Sequence, residues 1–393
     1  MEQNFLKEHL NLACHWLTDI AQVKNEERYS TETRVHQHKT WSGAIRGEYR
    51  VSSREWGFFC PVWHTGQAVK ALVMAAPYAG DFALEGAVAG GDFILKNVVG
   101  DGTDKGLILA YEDDNDKVNT SAILEGLDGL FELSAAIGNP AYREAALNAL
   151  DWVSRRAYLA DGGYFQDCYN HVKGEFLPSR YGTAGRPLLD DAVFLKGYRL
   201  NNNPQFKEIA VATAERLLRE EEPAGNWINY APCNAVRGNI HPRHAYWWGY
   251  PMAEIFKETG DEKFMDAFLR AVDWYKKAMR YDGGMFRGTY RDFNTDSWGH
   301  ATSGTACAVI MFIEAMNITG SDELLPYIEK GLDFCCKMQF TNPQDAYLKG
   351  AILEKLLPIT DGWGRDGTDA SPYYIRDLGT IFFIQAAAKY LKL

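Results

Sequence analysis

The sequence lacks the features that mark several classes of protein. Its seven cysteines are scattered and include no CxxC pair, which argues against a disulfide framework or a cysteine zinc site and favours a reduced protein. Acidic residues outnumber basic ones, and the net charge of −11 argues against nucleic acid as a partner. The chain opens without the basic start and apolar run of a signal peptide, and no apolar run is as long as a membrane span. We therefore expect a cytoplasmic protein, or a secreted or periplasmic one if a signal peptide has been removed.

What the sequence has instead is a globular composition and a repeated turn. Of its 393 residues, 46% are hydrophobic, which suits a single domain spanning residues 1–393. Short turn motifs recur at intervals of about 60 residues, a period typical of arrays of helical hairpins. The motifs are Gly80-Asp81, Gly138-Asn139-Pro140, Asn202-Asn203-Pro204, Gly260-Asp261 and Gly320-Ser321-Asp322.

This pattern predicts an all-α fold, an (α/α)6 toroid in which six helical hairpins close into a ring. The first helices of the hairpins are expected to begin near His64, Asn119, Leu188, Pro242, His300 and Tyr374. A helix from about Phe5 to Val23 and the last one, Tyr374 to Leu391, have no hairpin partner of their own, so pairing them closes the ring. A further helix around Tyr347 to Leu357 would give a ring of seven hairpins, which is the structural alternative.

The connections between hairpins are longer than the turns within them. They cover residues 24–63, 99–118, 158–187, 221–241, 281–299 and 340–373. Loops longer than about 12–15 residues are usually functional or disordered, and these carry many aromatic residues, which disordered segments seldom do. Two contain an Asp-Gly-Gly motif, at Asp161 to Phe165 and Asp282 to Phe286, which predicts small β-hairpins on one face of the ring.

Polar residues stand at the start of every predicted inner helix. Some are ordinary helix caps, such as Asn119, Asp190, Thr302 and Ser303. Histidine is a poor cap, yet four of the nine histidines lie at these starts, namely His64, His241, His244 and His300. The sequence therefore predicts a polar site built from several helix starts.

The densest of these clusters is segment 236–248. It contains Asn239, Arg243 and Tyr246 beside two of the histidines. Imidazole and guanidinium groups are costly to bury unpaired, so this segment predicts a site for an acidic sugar at a helix start, where main-chain N–H groups favour anions. Of the adjacent Trp247 and Trp248, one is expected to line the cavity and the other to pack, because neighbours on a helix point about 100° apart.

Alternating inner and outer helices, closure by the two chain ends and long loops on one face resemble the α/α-toroid carbohydrate-active enzymes. These include unsaturated glucuronyl and rhamnogalacturonyl hydrolases, N-acylglucosamine 2-epimerases, and the toroid lyases of alginate and glucuronan. The resemblance covers nearly the whole chain as architecture and implies an enzyme that acts on a carbohydrate. It does not choose between these chemistries, because one fold hosts many functions.

Resemblance to the toroid lyases implies β-elimination of an acidic, glucuronan-like chain. In those enzymes Asn, His and Arg offset the charge of the uronate carboxylate, and Tyr or His acts as base and acid. By position the catalytic roles fall on Tyr290, on His244 or else His241, on Arg291 or else Arg287, and on Asn239. The asparagine role falls on Asn239 or Asn119, because the helix start at residues 188–191 has aspartates in place of an asparagine. The residues expected to bind substrate are His241, Arg243, Arg287, His300, His64, Asn119, Asp191, Trp247, Tyr246, Trp298 and Tyr374.

Two other chemistries remain open. A hydrolase needs a pair of carboxyl groups, and resemblance to the glucuronyl hydrolases points to Asp190 and Asp191. A 2-epimerase uses paired histidines for proton transfer, which His244 and His300 can supply. No cofactor or metal is expected, because His241 and His244 have no nearby acid or thiolate to complete a metal site.

Overall fold

Four of the five predicted hairpin turns share one construction. The residue that ends the first helix has a left-handed backbone, with φ from 57° to 72° at Gly138, Asn202, Gly260 and Gly320. The next residue caps the second helix, since the side chains of Asn139, Asn203, Asp261 and Ser321 each accept a hydrogen bond from the main-chain N–H two residues on. A left-handed residue followed by a capping residue reverses the chain within a few positions. This explains the sequence period.

The computed structural model describes residues 1–25, 38–111, 117–178, 185–295, 299–354 and 374–393. The helices in these ranges are α1 (Gln3–His15), α2 (Pro61–Ala79), α3 (Asp81–Lys96), α4 (Thr120–Ile137), α5 (Pro140–Arg156), α6 (Val193–Asn201), α7 (Pro204–Glu220), α8 (Tyr250–Thr259), α9 (Glu262–Ala278), α10 (Thr302–Thr319), α11 (Leu325–Lys337) and α12 (Leu378–Leu391). The strands are β1 (Gly47–Arg50), β2 (Glu55–Phe58), β3 (Lys117–Asn119), β4 (Tyr158–Leu159), β5 (Tyr164–Phe165), β6 (Cys168–Asn170), β7 (Glu175–Leu177) and β8 (Tyr374–Arg376).

The helices form an inner and an outer ring. The even-numbered helices α2 to α12 are the inner ones, and each packs on the next directly or through the short helical turn that precedes it, with α12 returning to α2. Helix α1 packs on α12 and α2 and completes the sixth hairpin. The predicted six-hairpin toroid is therefore confirmed. In place of the alternative seventh helix, the described part of residues 347–357 has only the end of the 3-10 turn Ala346–Leu348.

Glycines bring the first two inner helices into backbone contact. A Cβ added to Gly66 would lie 2.4 Å from the Cα of Gly126, and one added to Gly129 would lie 2.1 Å from the carbonyl oxygen of Gly66. No side chain fits at such distances, so these glycines set the spacing of α2 and α4. The narrow centre of the ring follows from this packing.

The backbone is irregular where several inner helices begin. A 3-10 turn, Asp190–Ala192, precedes α6, and a π-helical turn, Ala245–Gly249, precedes α8. Regular α-helix therefore begins later than the sequence predicted at these two points and at α12, where β8 occupies the expected start. Single π-helical turns inside helices are rare and occur often at functional sites.

Small sheets lie at the same end of the ring, since β2, β3 and β8 each lead into an inner helix. The strand orders are β2-β1-β8, β3-β6-β7 and β4-β5. Strand β1 pairs with β8 so that Glu48 lies opposite Arg376, and their side chains form an ion pair at 3.1 Å. The predicted hairpin at Asp161 to Phe165 is the β4–β5 pair, and the second Asp-Gly-Gly segment forms only single bridges, Met279 with Met285 and Phe286 with His300.

Helix α10 is apolar on all sides because it belongs to the inner ring. By length and composition alone it would be long enough to cross a membrane, and the sequence expectation of no such run overlooked it. In the structure 72% of its residues are buried within the protein. A helix that is apolar all round is expected in the core of a large protein as well as in a membrane.

Candidate active site

Asp190 and Asp191 stand together at the start of the third inner helix, in a strained turn. Asp191 has a φ of 49° and Ala192 a φ of 51°, both in the left-handed region that non-glycine residues seldom adopt. Each such residue costs on the order of 1–3 kcal/mol and persists where the surroundings enforce it, often in active sites. The two carboxyl groups point to different environments.

Asp191 is held by side chains from two other inner helices. Its Oδ1 lies 2.7 Å from the Nζ of Lys70, and its Oδ2 accepts a hydrogen bond of 3.0 Å from Gln67, both on α2. The hydroxyl of Tyr246 donates to Oδ1 at 3.4 Å. The carboxyl group of Asp191 thus has an ammonium partner and two hydrogen-bond donors.

Lys70 is shared between two buried aspartates. Its Nζ also lies 2.8 Å from Asp128 on α4, which in turn pairs with Lys196 on α6. Burial alone would lower the pKa of Lys70, but Asp128 and Asp191 outweigh it and hold that pKa well above the usual range. Burial would raise the pKa of Asp128, but Lys196 and Lys70 hold it well below the usual range. This network of two cations and two anions lies among the inner helices.

Asp190 has the opposite environment. Only 4% of the residue is exposed, and its Oδ2 has no hydrogen-bond partner in the described part of the chain. Burial, with a contribution from the negative Asp191, raises the pKa of Asp190 to about 7 against the lowering effect of Arg186. Two neighbouring carboxyl groups with such different environments are typical of an acid and an ionised partner in catalysis.

Arg243 lies against two tryptophan rings that contact each other. Its guanidinium carbon is 5.0 Å from the ring centre of Trp247 and 5.9 Å from that of Trp63, and those rings are 6.2 Å apart. The residue is 9% exposed, and its Nε and Nη1 have no hydrogen-bond partner among the described residues. Nor does it form an ion pair within those ranges. A buried guanidinium without an anion is costly, so this site is suited to an anionic ligand.

His244 is fixed by main-chain groups. Its Nε2 lies 2.9 Å from the carbonyl oxygen of Ala231, and its Nδ1 lies 3.1 Å from both the Sγ of Cys233 and the carbonyl oxygen of Trp227. Burial, with Arg186, lowers the pKa of His244 to about 3. Its ring stacks on Trp248 at 4.6 Å. The neutral imidazole therefore braces the loop, and this geometry does not favour the proton transfer predicted for it.

The other three histidines at these helix starts have separate surroundings. The Nδ1 of His64 lies 2.6 Å from Oδ1 of Asp377, both fully buried, which links the first and last inner helices. His241 accepts a hydrogen bond of 3.2 Å from the main-chain N–H of Arg243. Burial, with Arg280, lowers the pKa of His300 to about 4, and its Nε2 has no partner among the described residues.

The four residues predicted for the lyase reaction differ in their exposure. The side chain of Arg291 is 60% exposed and pairs with Glu222 at 2.5 Å. Tyr290 is half-buried beside Gly238, and Arg287 is also half-buried. Asn239 is 3% exposed, with no partner for its Oδ1 among the described residues. An arginine that faces solvent and already has a carboxylate partner is poorly suited to neutralise a bound uronate.

The remaining predicted residues have varied positions. Asn119 is half-buried and ends β3 without capping α4 through its side chain. Of the two adjacent tryptophans, Trp248 is fully buried, whereas Trp247 faces Trp63 and Arg243, as the helix geometry predicted. Trp298 lies outside the described residues, as does the side chain of Tyr374, whose backbone is in β8.

Two carboxyl groups at this end of the ring were missed by the sequence reasoning. Asp167, from the loop before β6, accepts a hydrogen bond of 2.8 Å from the main-chain N–H of Ser121 at the start of α4. Glu354 does the same for Ser303 at the start of α10, also at 2.8 Å. Both cap a helix that is distant in sequence, so no local motif reveals them. Lys70 did leave a signal, since it is the only lysine, arginine or acidic residue in α2.

Among the described residues, no group of three His, Cys, Asp or Glu side chains is arranged to hold a metal ion. All seven cysteines are free thiols. Burial raises the pKa of Cys233 to about 12, so the thiol beside His244 is neutral.

Comparison with solved structures identifies the architecture. An unsaturated glucuronyl hydrolase specific for heparin superposes with a TM-score of 0.70 at 13% identity, over 100% of this chain and 98% of the other. Cellobiose 2-epimerase from Bacillus thermoamylovorans gives 0.66 at 11% identity, over 98% of both chains. A D-mannose isomerase gives 0.65 at 10% identity, over 100% of this chain and 98% of the other. The chain has the α/α-toroid fold. No family model matches the sequence, and no curated protein matches it significantly.

Proposed function

We propose that this protein is a glycoside hydrolase that cleaves the glycosidic bond of a uronic acid residue in an acidic oligosaccharide. Asp190 is the proton donor, and Arg243 binds the uronate carboxylate. The observation that carries the proposal is the contrast between Asp190, buried without a counter-ion of its own, and Asp191, tied to Lys70. Hydrolysis of a glycoside needs one carboxyl group that is protonated at the working pH.

Asp190 is suited to this role because its pKa of about 7 keeps a large protonated fraction near neutrality. An ordinary aspartate would be almost wholly ionised there. The strained backbone at Asp191 and Ala192 supports the same interpretation, because strain of this kind is retained where function requires a fixed geometry.

The substrate class follows from Arg243 and its two tryptophans. A guanidinium matches a carboxylate with two parallel hydrogen bonds, and the buried Nε and Nη1 atoms are available for them. Aromatic faces such as Trp63 and Trp247 bind planar or apolar faces of ligands. The indole Nε1 of Trp63 is also buried without a partner in the described ranges, so it remains available to a sugar hydroxyl.

The fold comparison is compatible with hydrolases and epimerases alike, so local geometry has to separate them. An epimerase mechanism with His244 and His300 requires a histidine that exchanges protons, whereas the Nε2 of His244 lies 2.9 Å from the carbonyl oxygen of Ala231 and its Nδ1 lies 3.1 Å from the Sγ of Cys233. The lyase roles of Tyr290 and Arg291 remain predictions, which the exposed position of Arg291 does not favour. Hydrolysis, in contrast, uses Asp190 and Arg243, which are both buried at helix starts.

The test follows several candidate substrates by ultraviolet absorbance and by a reducing-end assay. A 4,5-unsaturated uronyl disaccharide should lose its absorbance, as hydrolysis destroys the conjugated uronide, and Asp190→Asn should abolish the loss. A saturated glucuronyl disaccharide should either gain reducing ends without absorbance or remain intact. A glucuronan chain that gains absorbance would indicate the lyase, and conversion of cellobiose or mannose without cleavage would indicate an epimerase or isomerase; either result would overturn the proposal.

A further inference from the structure

Asp167 is a carboxylate at this face of the ring whose position is fixed by contacts with helix α4. It lies in the loop between β5 and β6 and is 8% exposed. Its main-chain carbonyl accepts a hydrogen bond of 3.0 Å from Thr120, and its Oδ1 accepts one of 2.8 Å from Ser121. The preceding carbonyl, of Gln166, accepts one of 2.7 Å from the hydroxyl of Thr120. Three hydrogen bonds thus clamp the loop to the first turn of α4.

The second oxygen of Asp167 is not used by the helix. The nearest charged group for its Oδ2 in the described ranges is Nη1 of Arg186, at 3.7 Å, which is an ion pair but too long for a direct hydrogen bond. A carboxylate oxygen accepts up to two hydrogen bonds, so Oδ2 keeps the capacity to bind a water molecule. Arg186 lies four positions before Asp190, in the segment that leads into α6, and its main chain forms a bridge with Phe165, two positions before Asp167. The ion pair of Asp167 with Arg186 therefore joins the loop at the start of α4 to the segment at the start of α6.

We propose that Asp167 is the second carboxylate of the hydrolytic site and acts as the base that activates the attacking water. This inference rests on the proposed hydrolase function. In the reaction the glycosidic C–O bond breaks, its electron pair goes to the leaving oxygen, and that oxygen takes the proton of Asp190. The water oxygen bonds to the anomeric carbon while its proton passes to Asp167. The two carboxyl groups exchange their protonation states, and solvent restores them after the products leave.

The arrangement explains why the start of α4 has no acid of its own. The residue before α4 is Asn119, which does not cap the helix through its side chain. The acid at this helix start is instead Asp167, which belongs to a loop about two helices further along the chain. Its clamp on Thr120 and Ser121 fixes the direction of Oδ2, which general base catalysis requires.

The experiment compares Asp167→Asn and Asp167→Ala with the native enzyme on the substrate that it cleaves. Asn retains an oxygen for the N–H of Ser121, so the fold should persist, as circular dichroism and the unfolding midpoint can check. We expect kcat of Asp167→Asn to fall about 10²- to 10⁴-fold with a small change in KM. Azide should restore turnover of Asp167→Ala and yield a glycosyl azide. The matched control is Asp151→Asn, because the Asp151 side chain is 50% exposed and pairs only with Arg155 on its own helix.

The outcomes separate this inference from the proposed function. If the native enzyme cleaves a uronide and Asp190→Asn does not, while Asp167→Asn keeps kcat within a few-fold of native, Asp167 is only a helix cap and the inference fails alone. A folded, inactive Asp167→Ala that azide does not restore would also reject it. If the native enzyme hydrolyses no uronide, the proposed function itself fails.

Discussion

Replacing Asp190 by Asn should make the protein more stable while it abolishes activity. In the folded protein the pKa of Asp190 is about 7, raised from the ordinary value of 3.8, mainly by burial. The folded state therefore binds this proton more tightly than the unfolded state does. Between these two pKa values the unfolded chain has released the proton and the native protein has not, so this group lowers the stability as the pH rises.

The size of the effect follows from the two pKa values. The contribution of Asp190 is most favourable below the unfolded pKa and is lost steadily until the pH passes the folded value of about 7. Two units separate about pH 5 from the folded pKa, and each unit corresponds to about 1.4 kcal/mol, so the native protein should lose on the order of 2–3 kcal/mol from this group between pH 5 and 8. The amide of Asn does not ionise, so the variant lacks this loss.

Urea unfolding of both proteins at about pH 5 and pH 8 measures the difference directly. The gain in free energy of unfolding for Asp190→Asn over the native protein should be larger at the higher pH by an amount on the order of 2–3 kcal/mol. All other titrating groups are common to both proteins and cancel in the comparison. An equal difference at the two pH values would show that Asp190 is not buried as a neutral acid, and the assignment of a proton donor would then lose its physical basis.

Three further substitutions test other parts of the structure. Arg243→Met should raise KM for the uronide about 10- to 100-fold, the value of hydrogen bonds to a charged group, whereas Arg291→Met at an exposed site should leave the kinetics unchanged; equal losses in steady-state assays would favour the lyase roles. Lys70→Met should lower the free energy of unfolding by about 3–5 kcal/mol, because it leaves two buried aspartates short of a partner. The control Lys337→Met, at a side chain that is 65% exposed, should cost less than about 1 kcal/mol. Similar costs for both variants in urea titrations would mean that the ion network is not buried. Gly66→Ala should cost about 1–3 kcal/mol or more by overpacking, while Gly100→Ala, where a Cβ would meet nothing within 4 Å, should cost little; a neutral Gly66→Ala would contradict the close approach of α2 and α4.

The ring could be predicted from the sequence because its turns are local. These hairpin turns combine a left-handed glycine or asparagine with a capping side chain and often a proline. The spacing of these residues gives the period. The starts of the inner helices were harder to predict. The π-helical turn before α8 differs from a regular helix only in its hydrogen-bond register, which no residue pattern around Trp247 reveals.

The site could be predicted by residue type but not by role. The histidines were noticed because they are poor helix caps. The sequence does not show, however, that the carbonyl oxygens of residues 227 and 231 lie close to the ring nitrogens of His244. Asp190 and Asp191 are chemically identical in sequence, and only tertiary contacts give one of them Lys70 as a partner. Asp167 reaches α4 across 46 positions, so its contact with Ser121 depends on the completed fold.

The pH dependence of kcat tests the central claim most directly. If Asp190 gives its proton to the leaving group, kcat for a uronide should fall about tenfold for each unit above about pH 7, because the ionised carboxyl group cannot donate. A profile that stays flat through this range, with native activity in Asp190→Asn, would contradict the claim.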